Sequence, residues 1–294
     1  MRLKIEYTNE IPINAFQWTP KSSKQPLHKH NSLEIGYCLS GKGFFYFEQK
    51  CFPVSVGDLF IVNHTEMHIA QSDEEDPSTY IFINFDPSVL FLEDEKLLFP
   101  FAYKSEKFQN HIPAEMPLAR LLAPRVQSIY DELTGRDVGY LIRARSILLE
   151  MSVLLLRNYI NSISNHSWNR MNKSNRELSQ LLSFVHSNYF VHIDLSDVAA
   201  VIGWSVTRTS CFFRECMGKS LRDYVVQLRL SEARKRLVST SDGIATICFD
   251  SGFQSMASFY RAFHSSVGMS PQEYRKKFTF GDYFENLTEV SEKS

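Results

Sequence analysis

The feature that most constrains this chain is a repeat near its C-terminal end. Phe213, Gly218, Ser220 and Tyr224 recur fifty residues later as Phe263, Gly268, Ser270 and Tyr274, while Ala199 and Gly203 recur forty-nine residues later as Cys248 and Gly252. Self-similarity at this period marks one supersecondary unit used twice. In each copy a small residue precedes a glycine by four positions, which lets two helices approach closely. The glycine supplies the positive φ that a sharp turn needs. Apolar residues one helical turn apart follow, Phe212 and Phe213 with Cys216 and Met217, then Phe259 with Ala262 and Phe263;. The remaining positions are polar or small and free to face a groove. The pattern predicts two helix-turn-helix units, one over 194–224 and one centred on 252–275.

The residues of the second unit carry a specific resemblance. Gly252, Phe253, Ser255, Ser258, Phe259, Arg261, Phe263, Gly268, Ser270, Pro271, Tyr274 and Arg275 match the C-terminal signature of AraC/XylS regulators, and the segment resembles their DNA-binding domain;. The first unit departs from the pattern, with Thr209 where Leu is common and Cys211 where a basic residue is frequent. The resemblance implies a bacterial transcription regulator whose partner is double-stranded DNA, with RNA polymerase as a further partner if it activates. It also implies that the exposed starts of the recognition helices reach base edges. Those positions are Thr207, Arg208, Ser210 and Cys211 in the first unit, and Gln254, Ser255, Met256, Ala257 and Arg261 in the second. Arg208 and Arg261 are the expected guanine readers, while Met256 and Ala257 suit thymine methyls. Arg214, Lys219, Arg229 and Arg275 are expected on phosphates.

Bulk properties agree with a chain of this kind. At 294 residues the length suits two domains, and the net charge of −1 is unevenly spread;. Residues 176–278 hold thirteen Lys/Arg against nine Asp/Glu, and the tail 279–294 is acidic;. There is no signal-like or membrane-spanning apolar run. Five cysteines without a C-x-x-C pair point to reduced thiols and a cytoplasmic location;.

From Ile11 to about Phe85 the chain reads as short strands split by turn signals, the pattern of a small barrel or jelly roll. Within it, His28-x-His30-x-x-x-Glu34 followed by Gly41, and Gly57 leading to His68, resemble the two cupin motifs. The second is degenerate, because Asn63, Thr65 and Ser72 stand where Pro, Gly and Asn are usual. Three imidazoles and a carboxylate are able to hold a divalent transition metal. In an AraC-type effector domain the same residues line a pocket for a small molecule instead. His28, His30, Glu34 and His68 are therefore read as effector-binding residues or metal ligands. Trp18 is read as an aromatic able to stack on a sugar face, so a carbohydrate is the first guess for the effector. A metal-dependent cupin enzyme fused to a DNA-binding tail is the rival reading, and a regulator controlled by a protein partner is a third.

Prolines at 100, 113 and 117 break up the stretch after the strands, and two helices are expected at about 118–133 and 138–159;. The second has a wide apolar face (Leu141, Ile142, Leu148, Leu149, Met151, Leu155, Leu156) suited to pairing two subunits as a homodimer;. The Ser/Asn-rich stretch 161–175 reads as a linker, with the first helix of the DNA-binding domain opening at Arg176. A helix at 221–238 joins the two repeat units, its apolar line running Leu221, Val225, Leu228. The expected class is α+β: a cupin-like barrel with helices over 1–160, then an all-α double helix-turn-helix domain over 176–278.

Overall fold

The computed structural model describes residues 2–3, 5, 7, 11–48, 50–63, 66–102, 110–160 and 165–280. The chain divides into two compact units, Met1–Ser179 with Phe213–Gly218, and Gln180–Phe212 with Lys219–Ser294. The fold is α+β, with antiparallel sheets in the N-terminal part and helices in the C-terminal part.

The strands are β1 (Arg2–Leu3), β2 (Ile13–Trp18), β3 (Lys29–His30), β4 (Leu33–Ser40), β5 (Gly43–Phe47), β6 (Lys50–Val54), β7 (Leu59–Val62), β8 (His68–Ser72), β9 (Thr79–Phe85) and β10 (His111–Ile112). One sheet has the order β10-β7-β4-β9-β2 and a second the order β6-β5-β8, while β1 pairs in parallel with β3. The strands form because β-branched and aromatic residues alternate faces along them. Cys38, Phe60, Val62, Tyr80 and Phe82 of the larger sheet meet Phe45, Phe47, Val54 and Ala70 of the smaller one in a single buried cluster. The two sheets therefore pack face to face around a shared interior. Gly36 makes room for this packing, since a Cβ there would lie 2.7 Å from the Phe82 ring.

The outer face of the larger sheet carries Leu33, Ile35, Ile81, Ile83 and Phe85, all buried. Against β9 and β2 packs α3 (Pro117–Gly135), which in turn packs on α4 (Tyr140–Ile160). The stretch before them holds α1 (Ser88–Phe91), a 3-10 turn (Glu95–Leu98) and α2 (Phe99–Ala102), each packed on α4. On α4, Leu148, Met151 and Leu155 are fully buried, but Ile142 is 64% exposed.

The stretch expected to be a linker corrects one expectation. Helix α5 spans Asn165–Asn188, so helix begins eleven residues before Arg176. Helix growth adds one hydrogen bond per residue fixed, so a turn anchored by the buried Leu178, Leu181, Leu182 and Val185 extends backward through poor helix formers;. Residues 161–164 lie outside the described residues, as does the acidic tail beyond Phe280.

Then come α6 (Leu195–Val201), α7 (Val206–Met217), α8 (Leu221–Ser239), α9 (Ile244–Asp250), α10 (Met256–Val267) and α11 (Pro271–Phe280). These are the two helix-turn-helix units joined by α8. The repeat extends to the hydrogen bonds. Ser205 and Ser255 accept from the backbone amides of Arg208 and Ser258, and Ser220 and Ser270 accept from those of Asp223 and Glu273. Gly203 and Gly252 both have positive φ, at 66° and 94°. At Gly252 space matters as well, since a Cβ would lie 2.7 Å from the Tyr189 carbonyl oxygen. The buried line of α8 differs from the expected one. It runs Leu221, Tyr224, Val225, then Leu230, Ala233, Leu237, while Leu228 is only half-buried. The second half of that line packs with Ile247, Cys248, Phe253, Phe259, Phe263 and Tyr274 in the core of the second unit.

Candidate nucleic-acid interface and barrel pocket

On α7, Thr209, Phe213 and Met217 recur every four residues and are fully buried, which fixes the face the helix turns outward;. Thr207, Arg208, Cys211 and Arg214 lie on the exposed side, with Ser210 half-buried. Thr209, the departure from the family pattern, is a packing residue whose hydroxyl donates to the Ser205 carbonyl at 3.1 Å. The Arg208 guanidinium lies 3.6 Å over the ring of Trp204, which meets Phe212 edge-on. That contact holds a long side chain in one direction before any ligand arrives.

On α10 the buried stripe is Phe259 and Phe263, and the exposed side shows Ala257, Arg261 and His264, with Gln254 and Ser255 exposed ahead of the helix. Met256 is half-buried and packs against the core, which leaves it less able to meet a base than expected. His264 was not among the sequence-derived candidates. The repeat register was the signal for it, because it stands fifty residues after Arg214 on the same helix face.

Three of the four residues expected on phosphates are turned inward. Lys219 is 7% exposed and its ammonium donates to Gln227 Oε1 at 2.8 Å. Arg229 donates through Nε to the Tyr189 carbonyl at 2.6 Å and through Nη2 to the Val191 carbonyl at 2.8 Å. Arg275 donates through Nε to the Leu237 carbonyl at 3.2 Å and through Nη2 to the Asp242 carbonyl at 2.7 Å. Both arginines satisfy carbonyls that a helix end or loop leaves without a backbone partner. Their residue type gave no sign of this, because long cationic side chains fold inward only where carbonyls await them. Arg214 alone of the four is exposed.

The candidate effector residues inside the barrel are brought together by register. Glu34 lies opposite Asn84 across β4 and β9, and Asn84 Nδ2 donates to Glu34 Oε2 at 2.6 Å. Phe16 and Trp18 lie opposite Phe82 and Tyr80 across β2 and β9, so they share the interior face with those core residues;. They remain 41% and 38% exposed because β2 is the last strand of its sheet. Asn84 and Phe16 escaped the sequence reading, since only strand pairing reveals them.

His28 and His68 exchange backbone hydrogen bonds, and their rings lie 4.6 Å apart, with His30 4.9 Å from His68. His30 Nε2 is 3.3 Å from Glu34 Oε2, and His68 Nε2 is 3.8 Å from Glu34 Oε1. The expected set His28, His30, Glu34 and His68 thus converges. Burial holds the His68 pKa down to about 4, so its ring is neutral at neutral pH;. Burial also opposes charge on His30, but the Glu34 carboxylate outweighs it and raises that pKa. Glu34, itself penalised by burial, is lowered by the same pairing. Among the described residues no helix is long and apolar enough to cross a membrane.

Comparison with known proteins follows the same division. Residues 13–134 match the AraC-like ligand binding domain family, and residues 198–277 match a helix-turn-helix domain family. The chain is 22% identical over 277 residues to an uncharacterized HTH-type transcriptional regulator of Bacillus subtilis, YdeC, covering 92% of this chain and 93% of that one. It is 24% identical over 245 residues to an uncharacterized HTH-type transcriptional regulator of Staphylococcus aureus, SACOL0084, covering 83% of this chain and 31% of that longer relative. A solved transcriptional regulator structure from Chromobacterium violaceum, with an AraC-type DNA-binding domain, is 25% identical, covers 38% of this chain and 99% of that one, and has a TM-score of 0.35. With a ligand-binding family matched over the barrel and a helix-turn-helix family over the C-terminal repeat, the chain belongs to the AraC family of DNA-binding transcription regulators.

Proposed function

We propose that this regulator is a cytoplasmic, homodimeric activator whose barrel binds a carbohydrate and whose two recognition helices read DNA through Thr207, Arg208, Ser210, Cys211, Gln254, Ser255, Ala257 and Arg261. The observation that carries the effector reading is the pair Phe16 and Trp18, aromatic faces left open on the interior side of the barrel in which Glu34 and Asn84 also stand. Aromatic faces beside hydrogen-bonding groups suit a molecule with apolar ring faces and many hydroxyls. Ligand binding then favours one of two pre-existing arrangements of the dimer, a population shift rather than catalysis. The dimer reading is supported by Ile142, Leu149 and Leu156 of α4, spaced by sevens and left partly uncovered;. A second copy of the chain is their proposed partner.

The test is a thermal melt of the full chain across a panel of mono- and oligosaccharides. A ligand that binds only the folded form raises the midpoint by mass action. A rise for one sugar class that vanishes in Trp18→Ala supports the reading, and a flat panel removes carbohydrates. Operator-driven transcription in vitro with that sugar then decides the sign of regulation.

A further inference from the structure

We propose that the two recognition helices read DNA out of phase. The guanine contact of the first is displaced from that of the second by one helical turn, which is about one base pair. The inference rests on the reading that Arg208 and Arg261 meet base edges. It adds that the two stretches of DNA one chain recognises are not copies of each other.

The repeat itself supplies the ruler. Ser205 and Ser255 accept from the amides three residues on, so they mark the same position ahead of α7 and α10. Counting from there, Thr209 and Phe259 are fourth, Phe213 and Phe263 are eighth, and all four are fully buried. Arg214 and His264 are ninth, and both are exposed. The buried stripe and the positions suited to the DNA backbone are thus in step, so both helices offer a groove the same face from the same start. The base-reading cations are out of step. Arg208 is third in α7, where α10 has Ser258, and Arg261 is sixth in α10, where α7 has Cys211.

The residues opposite the two arginines do not replace them. Ser258 is half-buried, and its hydroxyl donates to the Ser255 carbonyl at 2.8 Å while accepting from the Ser255 hydroxyl at 3.0 Å. It belongs to the helix cap. Cys211 is exposed, but a thiol is a weak donor and lacks the paired N–H groups that a guanidinium offers to guanine O6 and N7;.

Both arginines also lean back over the residue four places earlier. The Arg208 guanidinium lies over Trp204, and Arg261 Nε donates to the Ala257 carbonyl at 3.3 Å;. The offset of three residues therefore carries through to the charged groups. Three residues rise about 4.5 Å along a helix, against about 3.4 Å per base pair. Helix positions three apart meet successive bases in the major groove when zinc fingers bind.

The test is selection of bound duplexes from a random library by the purified full chain and its variants, followed by affinity measurements on the selected sequences. The guanine lost with Arg208→Ala identifies the first stretch, and the one lost with Arg261→Ala the second. Positions 208 and 211 are both exposed, so the exchange Arg208→Ser with Cys211→Arg moves the cation to the second unit's position and leaves the buried stripe intact. Unchanged melting midpoints check that the variants are folded. We expect the exchange to move the first guanine by about one base pair and to leave the second in place. The exchanged protein should bind the parent's preferred duplex about tenfold more weakly and recover on the duplex carrying the moved guanine. An unmoved guanine, or loss of the first guanine with no new one beside it, overturns the inference. A selected sequence that Arg208→Ala leaves unchanged removes Arg208 as a base reader, and the inference with it. A guanine that Arg208→Ala abolishes but the exchange does not move keeps the base-reading role and removes the offset.

Discussion

The guanidinium of Arg208 rests 3.6 Å above the indole of Trp204, the residue that follows the turn glycine of the first helix-turn-helix unit. An exposed cation held on an aromatic face gains about 0.5–1 kcal/mol and loses little further entropy on meeting a base. Trp204→Ala is therefore expected to weaken specific operator binding by about that amount, less than the roughly 1–3 kcal/mol expected of Arg208→Ala. Mobility-shift titrations on operator and on scrambled DNA decide it. Equal weakening on both sequences would remove Trp204 as a positioning residue.

The second unit offers a sharper contrast. Arg261→Ala is expected to cost about 1–3 kcal/mol of specific binding and to relax base preference at one position. His264→Ala, a change one turn further along the same exposed face, is expected to weaken operator and scrambled DNA alike if it meets the backbone;. Competition against single-base operator variants separates the two outcomes.

Arg229 and Arg275 are expected to act on stability. Replacing either with Ala strands two backbone carbonyls, Tyr189 and Val191 or Leu237 and Asp242. Each change should cost about 1–3 kcal/mol in urea unfolding. The dependence of DNA affinity on salt should stay as in the parent, whereas Arg214→Ala should flatten it by about one counterion. A flattened slope for Arg275→Ala at unchanged stability would restore its phosphate role.

A pH dependence follows from Asp58, a buried carboxylate 3.0 Å from His111 Nε2 that also accepts from the amides of Ser55 and Ala114. Burial alone would raise its pKa, but the His111 ring and the two amides outweigh it and the pKa is lowered. A lowered folded pKa contributes stability above the unfolded value, about 4, and loses it as pH falls through the folded value. The parent should therefore lose stability between neutral pH and strongly acidic pH more steeply than Asp58→Asn, which should start lower at pH 7. Melts across that range test it, and parallel curves would show that Asp58 does not contribute to the acid limb.

Much of this molecule was legible in its residues because the signals are local. Glycines with a small residue four places earlier, serines at helix starts and aromatics one turn apart each act within a few residues. Their doubling at fifty residues therefore revealed both helix-turn-helix units and the outward faces of their second helices. The His28, His30 and Glu34 spacing was equally local, and His68 came with it through the motif. The helical start of α5 was less legible, because Asn and Ser are poor helix formers and the helix there grows from buried leucines farther along.

What the tertiary structure decided depends on groups distant in sequence. Asn84 meets Glu34 only through the pairing of β4 with β9, and Phe16 stays partly exposed on the inner face only because β2 ends its sheet. The inward turn of Lys219, Arg229 and Arg275 depends on acceptors eight to forty residues away. Sequence alone determined which residues are cationic and where the helices turn. Only the fold determined which cations find a partner inside and which are left on the surface, since a long side chain takes whichever acceptor the packed backbone brings within reach.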